Sequence, residues 1–171
     1  MSNKLPSAYQ EIEYLESTGS QYIITDINLF DSKLIYDVTF SVTNNTAQRI
    51  FGNQVPYFYL MTNYYTQNRI SLRIPEMTSY DISTQINTYQ IYNVKLTDKK
   101  IYKDNTQIYT ISSFNKSSMS KIHLFCYGTS SGTSGLANGL RIYNFKIINN
   151  DIIIYNYIPC YRKKDKKPRN V

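Results

Sequence analysis

The 171-residue sequence contains no tryptophan, one histidine and two cysteines, and each shortage narrows the chemistry that the chain supports. Without tryptophan it lacks the broadest ring with which enzymes stack on sugars. His123 has no Ser-His-Asp or Cys-His pattern around it, so we expect a solvent-facing or partner-packed strand residue instead of a catalytic base. Cys126 and Cys160 form no Cys-x-x-Cys pair and no zinc-ligand spacing, which favours reduced structural thiols over a long-range disulfide.

Long apolar runs and phosphate-binding loops are also missing from the sequence. No stretch approaches the ~20 apolar residues of a membrane-spanning helix. The first residues, MSNKLP, have none of the apolar core of a secretory signal, so we expect neither a membrane span nor a secretion signal. The Gly/Ser/Thr segment 128–139 follows a predicted strand but opens no helix, which argues against a nucleotide-binding loop.

Positive charge is plentiful but unevenly placed. The formal net charge is +7, and residues 162–171 carry six cations against one carboxylate, which leaves +2 for the first 161 residues. We therefore divide the chain into one domain, 1–161, and a basic C-terminal tail, 162–171. A run of like charge usually stays in solvent, so nucleic-acid binding is not the expected function. Contact of the tail with phosphate, an anionic glycan or a partner subunit is the alternative.

The sequence is rich in side chains that favour β-structure. It contains 18 Tyr and 7 Phe, whereas the strong helix formers are comparatively few. Residues 33–43 (KLIYDVTFSVT) alternate apolar and polar side chains, which predicts a strand with one apolar face. The residues on that face are Leu34, Tyr36, Val38, Phe40 and Val42. About eleven short strand signals of this kind recur between polar turns, which predicts one all-β sandwich or barrel.

The segment 5–27, LPSAYQEIEYLESTGSQYIITDI, resembles an opening of the form LPxGYxxLEYIESTGTQYIDTGI that recurs in one family. The family comprises the LamG-like, concanavalin A-like jelly-roll domains of bacteriophage and prophage structural proteins and of gut-bacterial surface proteins. Ala8 stands where that opening has Gly, and Ile24 stands where it has Asp. The resemblance implies a two-sheet antiparallel jelly-roll sandwich.

Three later segments resemble the same family. They are RIFG at 49–52, the pair KIHLF at 121–125 and GLRIYNFK at 139–146, and DIIIYNYIPCYR at 151–162. Domains of that family usually continue after the Pro-Cys pair into a further closing strand, whereas this chain runs into its basic segment. The difference implies either a shortened domain or a sheet edge that a partner covers.

Glu11, Glu13 and Glu16 form the strongest pattern for catalysis in the sequence. Their E-x-E-x-x-E spacing is similar to the E-x-D-x-x-E strand of laminarinase-type glycoside hydrolases, and a strand would place Glu11 and Glu13 on one face. However, the middle residue differs, and the motif lies at the N-terminal end of the sequence. The same residues also belong to the segment 5–27 that resembles the LamG-like opening, so the pattern is explained without catalysis and we expect no catalytic residues.

Calcium is the one cofactor that the resemblance suggests. LamG-like domains sometimes bind this ion at the rim of the sandwich, and Asp26, Asp31 and Asp81 are the candidate ligands, together with loop carbonyls. These residues show no ligand spacing, so polar turn residues are the simpler interpretation, with no cofactor at all.

Tyrosine supplies the candidate binding surface. Its ring is rigid and ends in a hydrogen-bonding hydroxyl, which suits both glycan stacking and protein interfaces. AT-rich codon usage also raises the Tyr content, so a single Tyr carries less weight than the set. The candidate ligand-binding residues, near loops and edges of the middle third, are Tyr57, Tyr59, Tyr64, Tyr65 and Tyr80, with Tyr89 beside them.

These features predict a non-enzymatic bacteriophage virion component, a capsid, tail-fibre or decoration domain, with an adhesion or glycan-binding role. The expected partners are other virion proteins and a host-surface or mucosal glycan, and the expected assembly is a homodimer or homotrimer. The second hypothesis is a carbohydrate-binding adhesion domain of a bacterial surface protein, located at the cell surface. A laminarinase-type glycoside hydrolase is the third.

Overall fold

The computed structural model describes residues 5–27, 29–30, 33–53, 57–64, 66–74, 81–97, 99–111, 117–118, 121–129, 132–164 and 167–170. Within these ranges, the description is limited to the backbone at residues 29–30, 81, 83, 117–118 and 167–170. All regular structure in these ranges is β, so no helix there is long and apolar enough to cross a membrane. The strands are β1 (Tyr9–Glu11), β2 (Leu15–Thr18), β3 (Ile23–Ile24), β4 (Leu29–Phe30), β5 (Leu34–Val42), β6 (Gln48–Asn53), β7 (Phe58–Thr62), β8 (Arg69–Arg73), β9 (Asp81–Gln85), β10 (Tyr92–Leu96), β11 (Lys100–Lys103), β12 (Thr106–Thr110), β13 (Ser117–Ser118), β14 (His123–Leu124), β15 (Tyr127–Thr129), β16 (Gly132–Ser134), β17 (Asn138–Asn149), β18 (Ile152–Tyr157), β19 (Pro159–Arg162) and β20 (Lys167–Asn170).

The first large sheet is built around β5 and β17. Its strand order is β12-β11-β10-β5-β17-β18, and β2 pairs with the first half of β17. The apolar face predicted for residues 33–43 is confirmed, because every second side chain from Leu34 to Val42 is buried. This alternation turns one face of the sheet inward and leaves the outer face half-exposed.

The second large sheet is built around β6. The strands β7, β8 and β9 follow β6 on one side, and β14 and β15 lie side by side on the other. β3 then pairs with β14, and β16 pairs with β15. The contact of β15 with β6 is parallel, whereas all other described pairings are antiparallel. Two small sheets, β1-β19-β20 and β4-β13, complete the described part of the chain.

The apolar faces of the two large sheets meet in one core. The Phe51 ring of the second sheet lies 5.1 Å from the Phe145 ring of the first and 6.0 Å from Tyr36, also of the first. Tyr36 in turn lies 5.1 Å from Phe58. Buried rings of this size dominate core energetics, so these contacts hold the sheets face to face. The predicted all-β class is confirmed for the described residues.

The described ranges contain twenty strands, whereas periodicity predicts roughly eleven. The predicted strand around His123, in the segment KIHLF at 121–125, shows the reason. Phe125 has a φ of 66°, in the left-handed region, so the chain leaves β14 and starts β15 in a different position beside β6. A break of this kind is not visible in hydrophobic alternation.

The basic C-terminal segment takes part in a sheet. β19 crosses the boundary placed between residues 161 and 162, and β20 pairs with β19 from Pro159↔Asn170 to Arg162↔Lys167. β1 pairs with the other side of β19. In backbone terms, residues 167–170 therefore form a hairpin strand, because main-chain hydrogen bonding does not depend on side-chain charge.

Candidate functional site

The outer face of the second sheet gathers tyrosine and arginine side chains. On β7, Phe58 and Leu60 point into the core, so Tyr59 and Met61 point outward. Residues directly opposite each other in an antiparallel pair share a face. Arg73 of β8 pairs with Tyr59, and Arg49 of β6 pairs with Met61, so both guanidinium groups lie on this outer face.

Aromatic contacts join the strands of this face. The Tyr59 ring stacks on Tyr127 of β15 at 5.5 Å and meets Tyr57 edge-on at 6.4 Å. Both geometries are favoured by the ring quadrupole. We name the whole set the tyrosine–arginine surface; it comprises Arg49, Tyr57, Tyr59, Tyr64, Arg73 and Tyr127.

A glycine makes the close packing of this surface possible. Gly52 lies opposite Tyr59 and has a φ of 152°, a conformation that side chains rarely adopt. A Cβ at this position would overlap the Cβ of Tyr59 and the carbonyl oxygen of Phe58. The absence of a side chain on Gly52 therefore lets Tyr59 lie against β6.

Arg73 is held by two tyrosines. Its guanidinium carbon lies 3.5 Å from the centre of the Tyr57 ring, and its Nη1 donates a hydrogen bond of 3.3 Å to the Tyr59 hydroxyl. Burial raises the pKa of Tyr59, although the hydrogen bond from Arg73 acts in the opposite direction. The Tyr59 hydroxyl therefore stays protonated at neutral pH and keeps its own proton to donate.

Arg49 lies between two other tyrosines. Its guanidinium carbon is 5.3 Å from the Tyr64 ring centre and 5.8 Å from that of Tyr127, within the range of a cation–π interaction. Its Nε is buried and has no hydrogen-bond partner in the part of the chain that the structure describes, and its Nη1 is 3.5 Å from the carbonyl oxygen of Ala47. Gly135 covers the side chain, since a Cβ there would lie 2.5 Å from Nε.

The surface combines flat apolar area with hydrogen-bond donors. Tyr57 is 40% exposed and Tyr64 is 43% exposed, whereas Tyr59 is only 6% exposed and acts as the support between them. Sugars present apolar C–H faces and polar hydroxyl edges, and the two kinds of group on this surface match the two parts of a sugar. The arrangement is suited to non-covalent binding.

The outer face of the first sheet carries a second cluster of the same residue types. The Arg141 guanidinium lies 4.5 Å from the Tyr14 ring centre, and Tyr14 lies 5.4 Å from Tyr143. Here the cation has a carboxylate partner, because Arg141 Nε donates to Glu16 at 2.9 Å. This hydrogen bond raises the pKa of Arg141.

The structure brings together three of the predicted tyrosines. Tyr57, Tyr59 and Tyr64 belong to the tyrosine–arginine surface, whereas Tyr89 lies elsewhere, in the turn before β10. Tyr65 and Tyr80 are outside the described residues.

Three members of the surface were not predicted: Arg49, Arg73 and Tyr127. The sequence held one signal for the arginines, because each is a charged residue inside an apolar strand segment, RIFG or RISLR. A charge at such a position often marks a functional face.

The predicted calcium ligands are not brought together by the described residues. Asp26 follows β3 and accepts a hydrogen bond of 2.9 Å from Lys121 Nζ. Asp81 begins β9, at the opposite edge of the same sheet, so the two residues are on the order of 20 Å apart at the ordinary strand spacing. Asp31 is outside the described residues. Among the residues described, no three or more His, Cys, Asp or Glu side chains form a group that could hold a metal ion.

The three glutamates do not share a strand. Glu11 ends β1, Glu16 lies in β2, and Glu13 is in the bend between them. Glu16 is paired with Arg141, as above. The same-face pair that a retaining hydrolase needs is therefore not formed on one strand, and this geometry gives the laminarinase-type hypothesis no support.

His123 and the two cysteines are buried side chains. The Nδ1–H of His123 donates to the carbonyl oxygen of Lys121 at 2.8 Å, and Gly128 packs against the ring. Burial lowers the pKa of His123, so the ring is neutral at pH 7. Cys126 and Cys160 are not in a disulfide, and burial raises the pKa of the Cys126 thiol to about 12, which leaves it unreactive.

No family model, curated protein or solved structure matches this chain.

Proposed function

We propose that this protein is a non-enzymatic, glycan-binding component of a bacteriophage virion, folded as a concanavalin A-like jelly roll. In this proposal the glycan binds on the tyrosine–arginine surface. The observation that carries it is the stack of Tyr57, Tyr59 and Tyr127 on one sheet face, with Arg49 and Arg73 among the rings.

The rings are held in place before any ligand arrives. Tyr59 is fixed between Tyr57 and Tyr127, and Arg73 bridges Tyr57 and Tyr59. A surface that is already ordered loses less conformational entropy on binding, which matters for sugars because each contact is weak. The hydroxyl and guanidinium donors then fix the orientation of the sugar ring.

The jelly-roll part of the proposal is supported by how the resembling segments pair. The opening segment contributes β1 and β2, and these pair with the ending segment in β19 and with the LRIYNFK segment in β17. Segments that were identified separately in the sequence are therefore neighbours in space, as parts of one domain family would be. The pairing Glu11↔Cys160 joins the opening to the Pro-Cys position directly.

Assembly would strengthen a weak glycan contact. A capsid, fibre or decoration protein is displayed in many copies, and linked copies bind with an avidity of about a hundredfold or more above a single site. We therefore keep a homodimer or homotrimer as part of the proposal, with other virion proteins as its partners.

A glycan array tests the binding role. The variants Tyr57→Ala and Tyr127→Ala should lose about tenfold or more in affinity for the glycans that the wild type binds, because each removes a stacking ring. Tyr14→Ala, on the outer face of the first sheet, is the matched control and should bind as the wild type does. Equal losses in all three variants, or no glycan bound by the wild type, would contradict the proposal.

The location of the protein needs its own test. Antibody labelling of purified phage particles should decorate the particle surface. Labelling of the bacterial envelope in cells free of phage would instead favour an adhesion domain of a bacterial surface protein, with the same binding surface.

A further inference from the structure

The cations of the described residues differ in whether a carboxylate accompanies them. Between described residues, the ion pairs are Lys95 with Asp37 at 4.0 Å, Lys121 with Asp26 at 2.9 Å, and Arg141 with Glu16 at 2.9 Å. Arg49 forms no ion pair with any carboxylate that the structure describes. It is therefore a positive charge in the tyrosine–arginine surface that has no counter-ion among the described residues.

The surroundings of Arg49 make this charge costly. The side chain is half-buried, and its Nε has lost water without gaining a hydrogen-bond acceptor. The faces of Tyr64 and Tyr127 supply some electrostatic compensation, but a ring quadrupole is weaker than a full negative charge. A half-buried cation that has no carboxylate partner among the described residues calls for a specific explanation, and an anionic ligand on the same face supplies the missing negative charge.

Arg73 adds a second guanidinium to the same face. Stacking on Tyr57 occupies the flat face of the group, whereas its N–H donors lie in its plane, where Nη1 donates to the Tyr59 hydroxyl. The stack thus fixes the guanidinium at little cost to its hydrogen bonding. Arg49 and Arg73 lie on strands β6 and β8, on either side of β7; Arg73 is opposite Tyr59, and Arg49 is opposite Met61.

We propose that the tyrosine–arginine surface selects acidic glycans, with the anionic group bound by Arg49 and Arg73 and an adjoining sugar ring stacked on the tyrosines. Guanidinium forms two parallel hydrogen bonds with a carboxylate or a sulfate oxygen pair, which gives both charge and orientation. This inference rests on the proposed function, because it specifies which class of glycan the surface takes.

Isothermal titration with matched probes tests the inference. The carboxylated probe is 3′-sialyllactose and its neutral match is the methyl ester of the same sugar; the sulfated probe is 6-sulfo-lactose and its neutral match is lactose. At least one acidic probe should bind about tenfold or more tightly than its neutral match, since a charge-assisted bidentate contact is lost in the neutral sugar. The difference should shrink as salt is raised.

Variants assign the effect to the arginines. Arg49→Gln and, separately, Arg73→Gln should remove most of the preference for the acidic probe, and Arg49→Lys should retain only part of it, because Lys lacks the planar fork. Arg141→Gln is the control on the first sheet and should keep the full preference. Circular dichroism at the titration temperature verifies that each variant is folded.

The two proposals fail in different ways. If acidic probes and neutral matches bind equally and Tyr127→Ala weakens both, the surface binds glycan without charge selection and only the inference is overturned. If the wild type binds neither these probes nor any glycan of the array, the proposed function is overturned as well. A preference that survives both Arg49→Gln and Arg73→Gln also overturns the inference.

Discussion

The outer faces of the two large sheets carry the same kinds of side chain and differ in one group. On the first sheet, Arg141 lies over Tyr14 and is neutralised by Glu16. On the second sheet, Arg49 lies between Tyr64 and Tyr127, and no described carboxylate pairs with it. The first cluster is complete within the protein, whereas the second has an electrostatic requirement that the described residues do not meet.

The charge balance around each arginine distinguishes a structural cluster from a binding surface. Aromatic rings and arginines on a sheet face are not evidence of function by themselves, because on the first sheet Arg141 is neutralised within the protein by Glu16. The informative features are a buried donor without an acceptor and a cation without a counter-ion. Both occur at Arg49.

The largest expected effect comes from Gly52→Ala. The new methyl group would overlap Tyr59, and the backbone at Gly52 disfavours any side chain. We expect a loss of about 3 kcal/mol in the free energy of unfolding, and therefore a Tm lower by about 6–12 °C in a thermal melt.

Gly19→Ala is the matched control for Gly52→Ala. Gly19 also has a positive φ, of 96°, but a Cβ there would meet Asn138 only at 3.6 Å. Backbone strain alone should cost about 1 kcal/mol. Equal Tm shifts in the two variants would show that Gly52 is required for its φ angle and not for the close approach of Tyr59.

Gly135→Ala should displace Arg49 and leave its charge in place. The added Cβ would lie 2.5 Å from Arg49 Nε, so the guanidinium must move away from Tyr64 and Tyr127. We expect the affinity for an acidic glycan to fall about fivefold to tenfold, which corresponds to roughly 1 kcal/mol. Titration with 3′-sialyllactose measures this, and an unchanged affinity would mean that the position of Arg49 does not matter.

Acid should destabilise the region around β14 and β15 through His123. The folded-state pKa of this buried ring is lowered from 6.5, so the unfolded chain takes up the proton first as the pH falls. Stability is therefore full above pH 6.5 and decreases as the pH drops below it. Thermal melts between pH 7.5 and pH 5 should show a falling Tm, and His123→Gln should flatten that slope. An equally steep slope in the variant would contradict the assignment.

The smallest expected effect is that of Glu16→Gln. Glu16 and Arg141 are partly exposed, and a pair of this kind contributes about 0.5 kcal/mol. The variant makes the first face resemble the second by leaving Arg141 without its carboxylate. A Tm decrease above about 4 °C would show that this pair matters more than its exposure indicates.

Much of the fold is readable from local pattern. Alternation over residues 33–43 predicts the buried face of β5, and the predicted tyrosines Tyr57, Tyr59 and Tyr64 do lie together. A period of two determines which side chains of a strand share a face, and it accounts for the β5 face and for Tyr57 with Tyr59. Tyr64 follows the end of β7 and joins the surface through Arg49.

The rest of the site depends on strand order and register. Arg49 reaches the surface because β6 pairs with β7 with a register shift between Arg49 and Phe51. Tyr127 reaches it because β15 pairs with β6, where Gly128 lies beside Asn53 although 74 residues separate them in the sequence. Pairings between distant segments are not encoded in local alternation. The strand β20 was not predicted for a related reason. A run of charged residues indicates solvent-exposed side chains, but it does not indicate whether the main chain pairs with another strand.

The most direct test of the central claim is a nuclear magnetic resonance titration of the isotope-labelled wild type with 3′-sialyllactose. The account predicts that amide shifts concentrate at residues 49, 57–64, 73 and 127, while the signals of Tyr14, Glu16 and Arg141 stay in place. Shifts centred on the first-sheet cluster, with the tyrosine–arginine surface unchanged, would contradict it.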